Sequence, residues 1–538
     1  MPAPFSADLG ERGNGAGLWV LFIAALSMLG FLGVATPLTY HEAFTAQAAR
    51  EMLASGDVLV PSINGMPWLE KPPGTCWLVA LLGFVSGGVD ETVARLPSAA
   101  AGVALALGVA FWTSRRFGSH LGLLAGCVQA TTLWTVSHAR LAEADMILAA
   151  LFAWTLIAFD LARFDQPRVG TTGPPADRTK SDGVGSLFWR RAFFALLGLM
   201  SLFKGVGFGA ALVSAVVVAT LLWNRDRAAW KSLLSPWGCV VVLVLTLAWP
   251  LLATLREPRV LELWGLHLFD RFAARPRHFA GGPWWQYGPP LLGQVLPWTP
   301  FALWGAALSI RRARDGSRGD RLLCAWVLAP VVVLSFATIK NIHYAVHALA
   351  PCSVWSALAL ARLSDRLQRR GLTIVRFRYY AVASCLGLAG LYCLGFGVLG
   401  PYFDRRGAEW RFYREASRAI ATDEPAALLY DDWDRLPYYT PFGPVPHDLG
   451  LRLFYIKHSL KVRFGVASLA AAPLGDASTP YPLVAREHDL PELRRLGRVE
   501  RVATGASARF DRAFVLFRFA PDPARVAGLL ADQAEVRR

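Results

Sequence analysis

Charge is what this chain has least of. Asp, Glu, Lys and Arg supply 17% of its 538 residues, where a soluble enzyme of this length carries about a quarter. That shortage excludes an ordinary water-soluble globule. Cysteine is sparse in pattern: Cys76, Cys127, Cys239, Cys324, Cys352, Cys385 and Cys393 all precede residue 400, mostly inside apolar runs. No CxxC spacing occurs, so neither a disulfide framework nor a zinc ribbon is encoded. The first apolar run lacks a small-residue cleavage pattern behind it and reads as a retained span.

What is abundant is apolar sequence: 54% of residues are hydrophobic and the mean hydropathy is +0.37. Runs near or above the ~18 residues needed to cross a bilayer recur throughout. They predict spans near 17–37, 97–113, 120–136, 146–162, 192–204, 205–223, 236–254, 287–309, 322–338, 343–361 and 379–401, about eleven in all. The run 76–89 is too short and reads as interfacial or re-entrant. The fold class is a polytopic α-helical membrane protein.

The net charge of +16 invites a nucleic-acid reading, but the bases sit in short loops between apolar runs, where they set orientation. With the N-terminus inside, Arg115-Arg116, the stretch 163–191, Arg225–Arg227, Arg311–Arg314 and the stretch 362–378 all fall on one side. Loop 255–285 is the basic exception on the outer side. No nucleic-acid partner is expected; membrane lipids are. From residue 402 charge rises and short β-like runs appear at 426–430 and 513–519. Asp489 reads as a helix cap. The expected division is a membrane domain, 1–401, and an extracytoplasmic α/β domain, 402–538.

The outer side then holds the chemistry. The first loop, 38–96, offers His41, Glu42, Arg50, Glu51, Asp57, Glu70 and Lys71. Loop 137–145 offers His138, Arg140, Glu143 and Asp145. Lys204-Gly205 lies between two runs. Loop 255–285 offers His267, Asp270, Arg271, Arg275, Arg277, His278, Trp284 and Trp285, with Tyr287 beside it. Lys340, His343 and Tyr344 precede the tenth span. Cations can neutralise a phosphate leaving group, and a carboxylate can take the proton of an attacking oxygen. Such a set suits sugar transfer from a polyprenyl-phosphate donor.

The motifs carry a resemblance. His41-Glu42, Ala49–Asp57 ("AREMLASGD"), Glu70–Pro73 ("EKPP") and Arg95–Ala99 ("RLPSA") follow one another in the order seen in the polytopic GT-C glycosyltransferases. The chain resembles the branch of the lipid A aminoarabinose transferases and, more distantly, the protein O-mannosyltransferases. Weaker echoes are Asp145, Lys204-Gly205, Leu296-Pro297-Trp298 and Lys340 with His343-Tyr344. The resemblance implies an inverting single displacement from a polyprenyl-phosphate sugar to a lipid, glycan or protein acceptor. It implies Glu42, Asp145 and His41 as the residues that prepare the acceptor. It implies Lys71, Glu70, Lys204, Arg275, Arg277, His278, Lys340, His343 and Tyr344 as donor phosphate or substrate contacts. It also associates Glu70 with a divalent metal, with His267 or His278 as partner. One carboxylate and one histidine make no metal signature alone, so no metal is assigned.

One departure matters. The family places Asp-Glu where this chain has His41-Glu42. Three readings stay open: His41 is itself the base, since a neutral imidazole accepts a proton near pH 7; Glu42 or Asp145 takes the role; or the site is altered and silent. Structural alternatives stand beside each candidate. Glu42 suits a helix start. Asp145 could pair with Arg140, and Lys204 could snorkel. Lys340 with His343-Tyr344, like Trp284-Trp285, suits an interfacial belt. Arg275 and Arg277 suit lipid headgroups. Gly205 and Gly207 read as helix-packing glycines. A lipid-linked substrate transporter or a silent scaffold are the other function classes.

Overall fold

The computed structural model describes the chain apart from residues 1–12, 34–35, 165–178, 234, 266–282, 284, 337–339, 404–406, 422–423, 431–437, 441–442, 447–448, 459, 472–473, 475–478, 506–512 and 529–538. The expected site residues His267, Asp270, Arg271, Arg275, Arg277, His278 and Trp284 therefore lie outside the described residues.

The helices begin with α1 (Gly13–Leu29), α2 (Tyr40–Ser55), α3 (Gly74–Ser86), α4 (Glu91–Phe117), α5 (Ser119–Thr131), α6 (Leu133–Ala139) and α7 (Ala144–Phe164). Next come α8 (Thr179–Leu199), α9 (Ser201–Phe208), α10 (Ala210–Asn224), α11 (Arg227–Leu233) and α12 (Pro236–Arg256). Then follow α13 (Gly288–Gln294), α14 (Thr299–Arg314), α15 (Arg318–Ser335), a 3-10 turn (Ile342–Ala348), α16 (Leu349–Gln368) and α17 (Ile374–Leu394).

Five described helical stretches are long and apolar enough to cross a bilayer: 91–117, 144–162, 236–256, 342–368 and 374–403. A sixth would be the pair 186–199 and 201–208, bent by 86°. That measure falls short of the expected eleven for physical reasons. The runs at 17–37 and 205–223 form shorter helices, Gly15–Leu29 and Ala210–Asn224. The runs at 120–136 and 287–309 are interrupted, at Thr132 and at Leu296-Pro297, the latter because proline bars its predecessor from helix. The expected boundary at 204/205 lies within α9. Helix α3 has 13 residues, about 20 Å long and short of a span.

The chain divides into two compact units. The first comprises residues 1–32, 69–79 and 95–397. Its core is a continuous apolar cluster around Trp112, Phe152, Leu156 and Val213. Buried charge there is matched. Asp160 accepts from the Trp112 indole at 2.9 Å and faces Arg116 at 3.2 Å. Asp320 receives two bonds from Arg312, at 2.9 and 2.8 Å, and one from Ser309. Arg140 donates to the carbonyls of Ser27 and Met28, in the last turn of α1, and of Phe31 just beyond it. The alternative pairing of Arg140 with Asp145 therefore does not form; Asp145 pairs with Lys204.

The second unit comprises residues 33–68, 80–94 and 398–538. Most of the first loop, grouped in sequence with the membrane part, thus folds with the tail, while 69–79 stay with the first unit. Helix α2 starts with a capping box: Thr39 and Glu42 each accept from the other's backbone N–H. It ends on Gly56 in the left-handed conformation. Beyond it β1 (Ser62–Ile63) and β2 (Met66–Pro67) form a small hairpin held by Glu51, whose carboxylate accepts from Ser62 Oγ, Asn64 N and Gly65 N.

The tail adds α18 (Gly407–Ala419), α19 (Leu449–Ile456) and α20 (Leu490–Leu496). Its strands are β3 (Ala426–Tyr430), β4 (Tyr438–Thr440), β5 (Gly443–Val445), β6 (Leu460–Phe464), β7 (Tyr481–Arg486), β8 (Gly497–Thr504) and β9 (Phe514–Pro521). The main sheet has the order β6-β3-β7-β9-β8, parallel at β6, β3 and β7 and antiparallel at β9 and β8. Strands β3 and β7 are buried throughout, as continuous apolar runs in a parallel sheet should be. Asp489 precedes α20 as expected, but its carboxylate accepts from Arg486 N at 2.9 Å rather than from the helix. Helix α2 lies on α19: Arg50 donates to Phe454 O at 2.7 Å, Leu38 N to the Tyr455 hydroxyl at 2.9 Å, and Asn64 to Leu460 O at 2.7 Å.

Candidate functional site

In the first unit the ionisable residues gather at the N-terminal end of α7. Asp145 sits in its first turn, where the helix dipole favours an acid. Its carboxylate is buried and meets Lys204 Nζ at 2.5 Å. Lys204 reaches it because the chain leaves helical geometry there: Lys204 has φ −142° and Gly205 has φ 73°, ψ 178°. The latter conformation is essentially reserved to glycine. The two helical pieces meet at 86°, and the break turns the ammonium toward Asp145. Gly205, read from sequence as a packing residue, is the hinge that makes this possible.

An aromatic cage completes the cation's surroundings. Lys204 Nζ lies 5.2 Å from the Tyr344 ring centre and 5.7 Å from that of Phe208, within cation–π range. Phe208 and Tyr344 are 4.5 Å apart. The Tyr344 hydroxyl accepts from Asn341 at 3.0 Å, and His343 meets the Tyr344 ring edge-on at 4.6 Å. A small cavity opens here among Asp145, Lys204, Phe208, His343, Tyr344 and His347. His343 lies within electrostatic reach of Asp145, Lys204, His138 and Lys71. Burial lowers the pKa of His138, with Asp145 pulling the other way; its ring stacks on Trp134 at 4.3 Å.

The structure thus brings together Lys71, His138, Asp145, Lys204, His343 and Tyr344. Sequence reasoning named His138 without assigning it a role, and missed Phe208 and His347. His347 is buried, stacks on Phe152 at 5.1 Å and has no described partner for Nε2. Only a polar residue in an apolar run marked it. Glu70 is half-buried beside Lys71, and Trp264 fixes the preceding Leu69 carbonyl at 2.9 Å. Lys340 is half-buried, and its carbonyl accepts from Gln286. Among the described residues no cluster of three or more His, Cys, Asp or Glu suits a metal.

His41 and Glu42 belong to the second unit. His41 is exposed at the start of α2. Glu42 is fully buried, with Oε2 accepting from Thr39 N at 2.7 Å. Arg50, Glu51 and Asp57 serve the fold of that unit. Arg50 donates to the carbonyls of Phe454 and Val89, Glu51 holds the hairpin, and Asp57 accepts from Leu59 and Val60 N.

The chain joins a broken-helix bundle holding a buried acid–lysine pair to a mixed parallel and antiparallel sheet in its tail. Among solved structures it is similar over 94% of its length to apo ArnT from Cupriavidus metallidurans, at TM-score 0.73 and 20% identity, covering 98% of that chain. The undecaprenyl phosphate-bound ArnT matches at TM-score 0.71. The Archaeoglobus fulgidus oligosaccharyltransferase matches at 0.53 over 94% of this chain and 76% of that one. In sequence, residues 70–167 match the family model of dolichyl-phosphate-mannose-protein mannosyltransferases. The chain is 29% identical over 329 residues to the undecaprenyl phosphate-alpha-4-amino-4-deoxy-L-arabinose arabinosyl transferase of Edwardsiella ictaluri, 59% of this chain and 54% of that one. To the same-named transferase of Pectobacterium carotovorum it is 27% identical over 378 residues, 67% and 62% of the two chains. The chain thus spans less than two thirds of the length of these relatives.

Proposed function

We propose that this protein is a membrane glycosyltransferase that moves a sugar from a polyprenyl-phosphate carrier to an acceptor at the outer membrane face. The observation that carries the proposal is the buried Asp145–Lys204 pair with Lys71, His138 and His343 around it. The pair is neutral as it stands. A donor phosphate competes for Lys204, with Lys71, Lys340 and His343 as further contacts, and so releases the Asp145 carboxylate. An acceptor hydroxyl attacks the anomeric carbon from the face opposite the phosphate. The new C–O bond forms as the C–O bond to phosphate breaks, the proton passes to a carboxylate, and polyprenyl phosphate leaves with its negative charge on the cations. The anomeric configuration inverts.

The donor we favour is an undecaprenyl-phosphate amino-pentose, the group named in the similar arabinosyl transferases, and the acceptor a membrane lipid such as lipid A. Asp145 carries the proton-accepting role. His41 is the second candidate, and Glu42 serves as the capping acid that sets His41 in place. Arg275, Arg277 and His278 remain donor contacts by resemblance alone, and Tyr344 walls the site. Residues 1–401 supply the reaction and 402–538 help select the acceptor. The helix broken at Lys204-Gly205 is also a transporter feature, so the assay must read chemistry.

Purified protein in lipid, given labelled undecaprenyl-phosphate aminoarabinose and lipid A, should label the acceptor. Asp145→Asn should lower turnover by about 100-fold or more while the protein stays folded. Donor crossing the bilayer intact, with no glycosidic product, would replace the proposal with the transporter.

A further inference from the structure

An open groove of about 540 Å³ lies in the first unit, among α4, α7 and α8. That falls within the roughly 300–1,000 Å³ of small-molecule sites. Its walls are alanine, leucine, isoleucine, phenylalanine and tryptophan, including Ala104, Leu151, Trp154, Trp189 and Ala192. The Trp154 indole N–H is already donated to Ala104 O at 3.0 Å. The lining therefore suits an apolar chain.

The groove has a charged end. On α4, Ala101, Ala104, Gly108, Phe111 and Arg115 recur at intervals of three and four residues, one face of the helix. Phe111 packs on Trp154 at 6.1 Å and on Trp189 at 6.0 Å. Arg115 lies over Phe111 at 5.2 Å and is exposed. Arg190, although next to Trp189 on α8, falls on the face opposite Phe188, Ala192 and Leu196 and does not contribute. Among the described residues Arg115 has no acid partner, whereas neighbouring Arg116 is taken by Asp160.

We propose that this groove holds an acyl chain of an anionic phospholipid, with its phosphate on Arg115. That charge favours a net anion over a zwitterionic lipid, which brings its own cation. Its position also excludes the sugar donor. Asp145 occupies the first turn of α7 and Asp160, beside Arg116, its far end. Fifteen residues of helix separate them by about 22 Å, too far for a phosphate at Arg115 to present a sugar to Asp145.

The test uses full-length protein in phosphatidylcholine nanodiscs containing phosphatidylglycerol with a photoreactive acyl chain, and maps the labelled peptides. Label should fall on 147–154 and 188–196, well above that from a matched phosphatidylcholine probe. Arg115→Gln should weaken labelling about five-fold, from roughly 1 kcal/mol per arginine near a bilayer surface, whereas Arg190→Gln, on the far face of α8, should leave it unchanged. Ala192→Phe, which fills the groove, should remove it with the melting temperature unchanged. Equal labelling by the two lipids, or labelling indifferent to Arg115→Gln and Ala192→Phe, would overturn the proposal. So would labelling by a photoreactive polyprenyl phosphate that phosphatidylglycerol does not compete away.

Discussion

Glu51 receives two backbone N–H groups, the Ser62 hydroxyl and the Gln47 amide, at 2.6 to 3.1 Å. Glu51→Ala would leave those donors without their acceptor, and we expect a loss of about 1–3 kcal/mol, read as a lower melting temperature. Glu42 offers a cleaner contrast. Glutamine can replace glutamate in a capping box, so Glu42→Gln should keep both the fold and, within a few-fold, the transfer rate. A loss comparable to that of Asp145→Asn would instead make Glu42 the base. His138 adds a pH dependence. Burial holds its folded pKa below the unfolded value near 6.5, so between the two the unfolded chain binds more protons. Its contribution is full above about pH 6.5 and erodes as pH falls below that. Melting temperatures at pH 7.5 and 5 should differ less in His138→Gln than in wild type.

At the scale of elements, the helix break at Lys204-Gly205 is decisive. Gly205 with φ 73° and ψ 178° stands where any side chain costs about 1–3 kcal/mol. Gly205→Ala should cut transfer far more than it lowers stability, because Lys204 loses its aim at Asp145. Turnover and melting temperature measured on one preparation would check this. In the sequence Lys204-Gly205 was legible as a boundary between two runs but not as a sharp bend, because apolar residues flank it on both sides, Phe203 before and Val206 after. The alternative in which Asp145 pairs with Arg140 fails for a different reason. Arg140 is five residues away in sequence, but the open carbonyls at the end of α1 claim it. Long apolar helices, the two apolar strands and the cluster of loop cations were legible, since length, composition and order fix them. The functional weight placed on Arg50 and Glu51 came from motif order, which does not separate chemistry from folding.

Across the whole molecule, the second unit is built from two distant stretches. Gly450 sits against the Phe44 backbone so closely that a Cβ there would lie 3.0 Å from Phe44 N. Gly450→Val should therefore loosen α2 as well as the tail. Deleting residues 402–538 should uncover the inner face of α2, with Ala43, Ala46, Ala49 and Met52. Limited proteolysis should then cut within 38–68, where the intact chain resists.

That shared unit also sets a clock. Leu38 and Tyr455, which are hydrogen-bonded, lie 417 residues apart. At about 5–20 residues per second of synthesis, α2 waits roughly 20–80 s for its partner to leave the ribosome. Through that interval the nascent chain carries an unfinished surface, open to quality-control proteases. Harmful substitutions in the tail should thus act on the cell by lowering the amount of the protein made, before any effect on the reaction it performs.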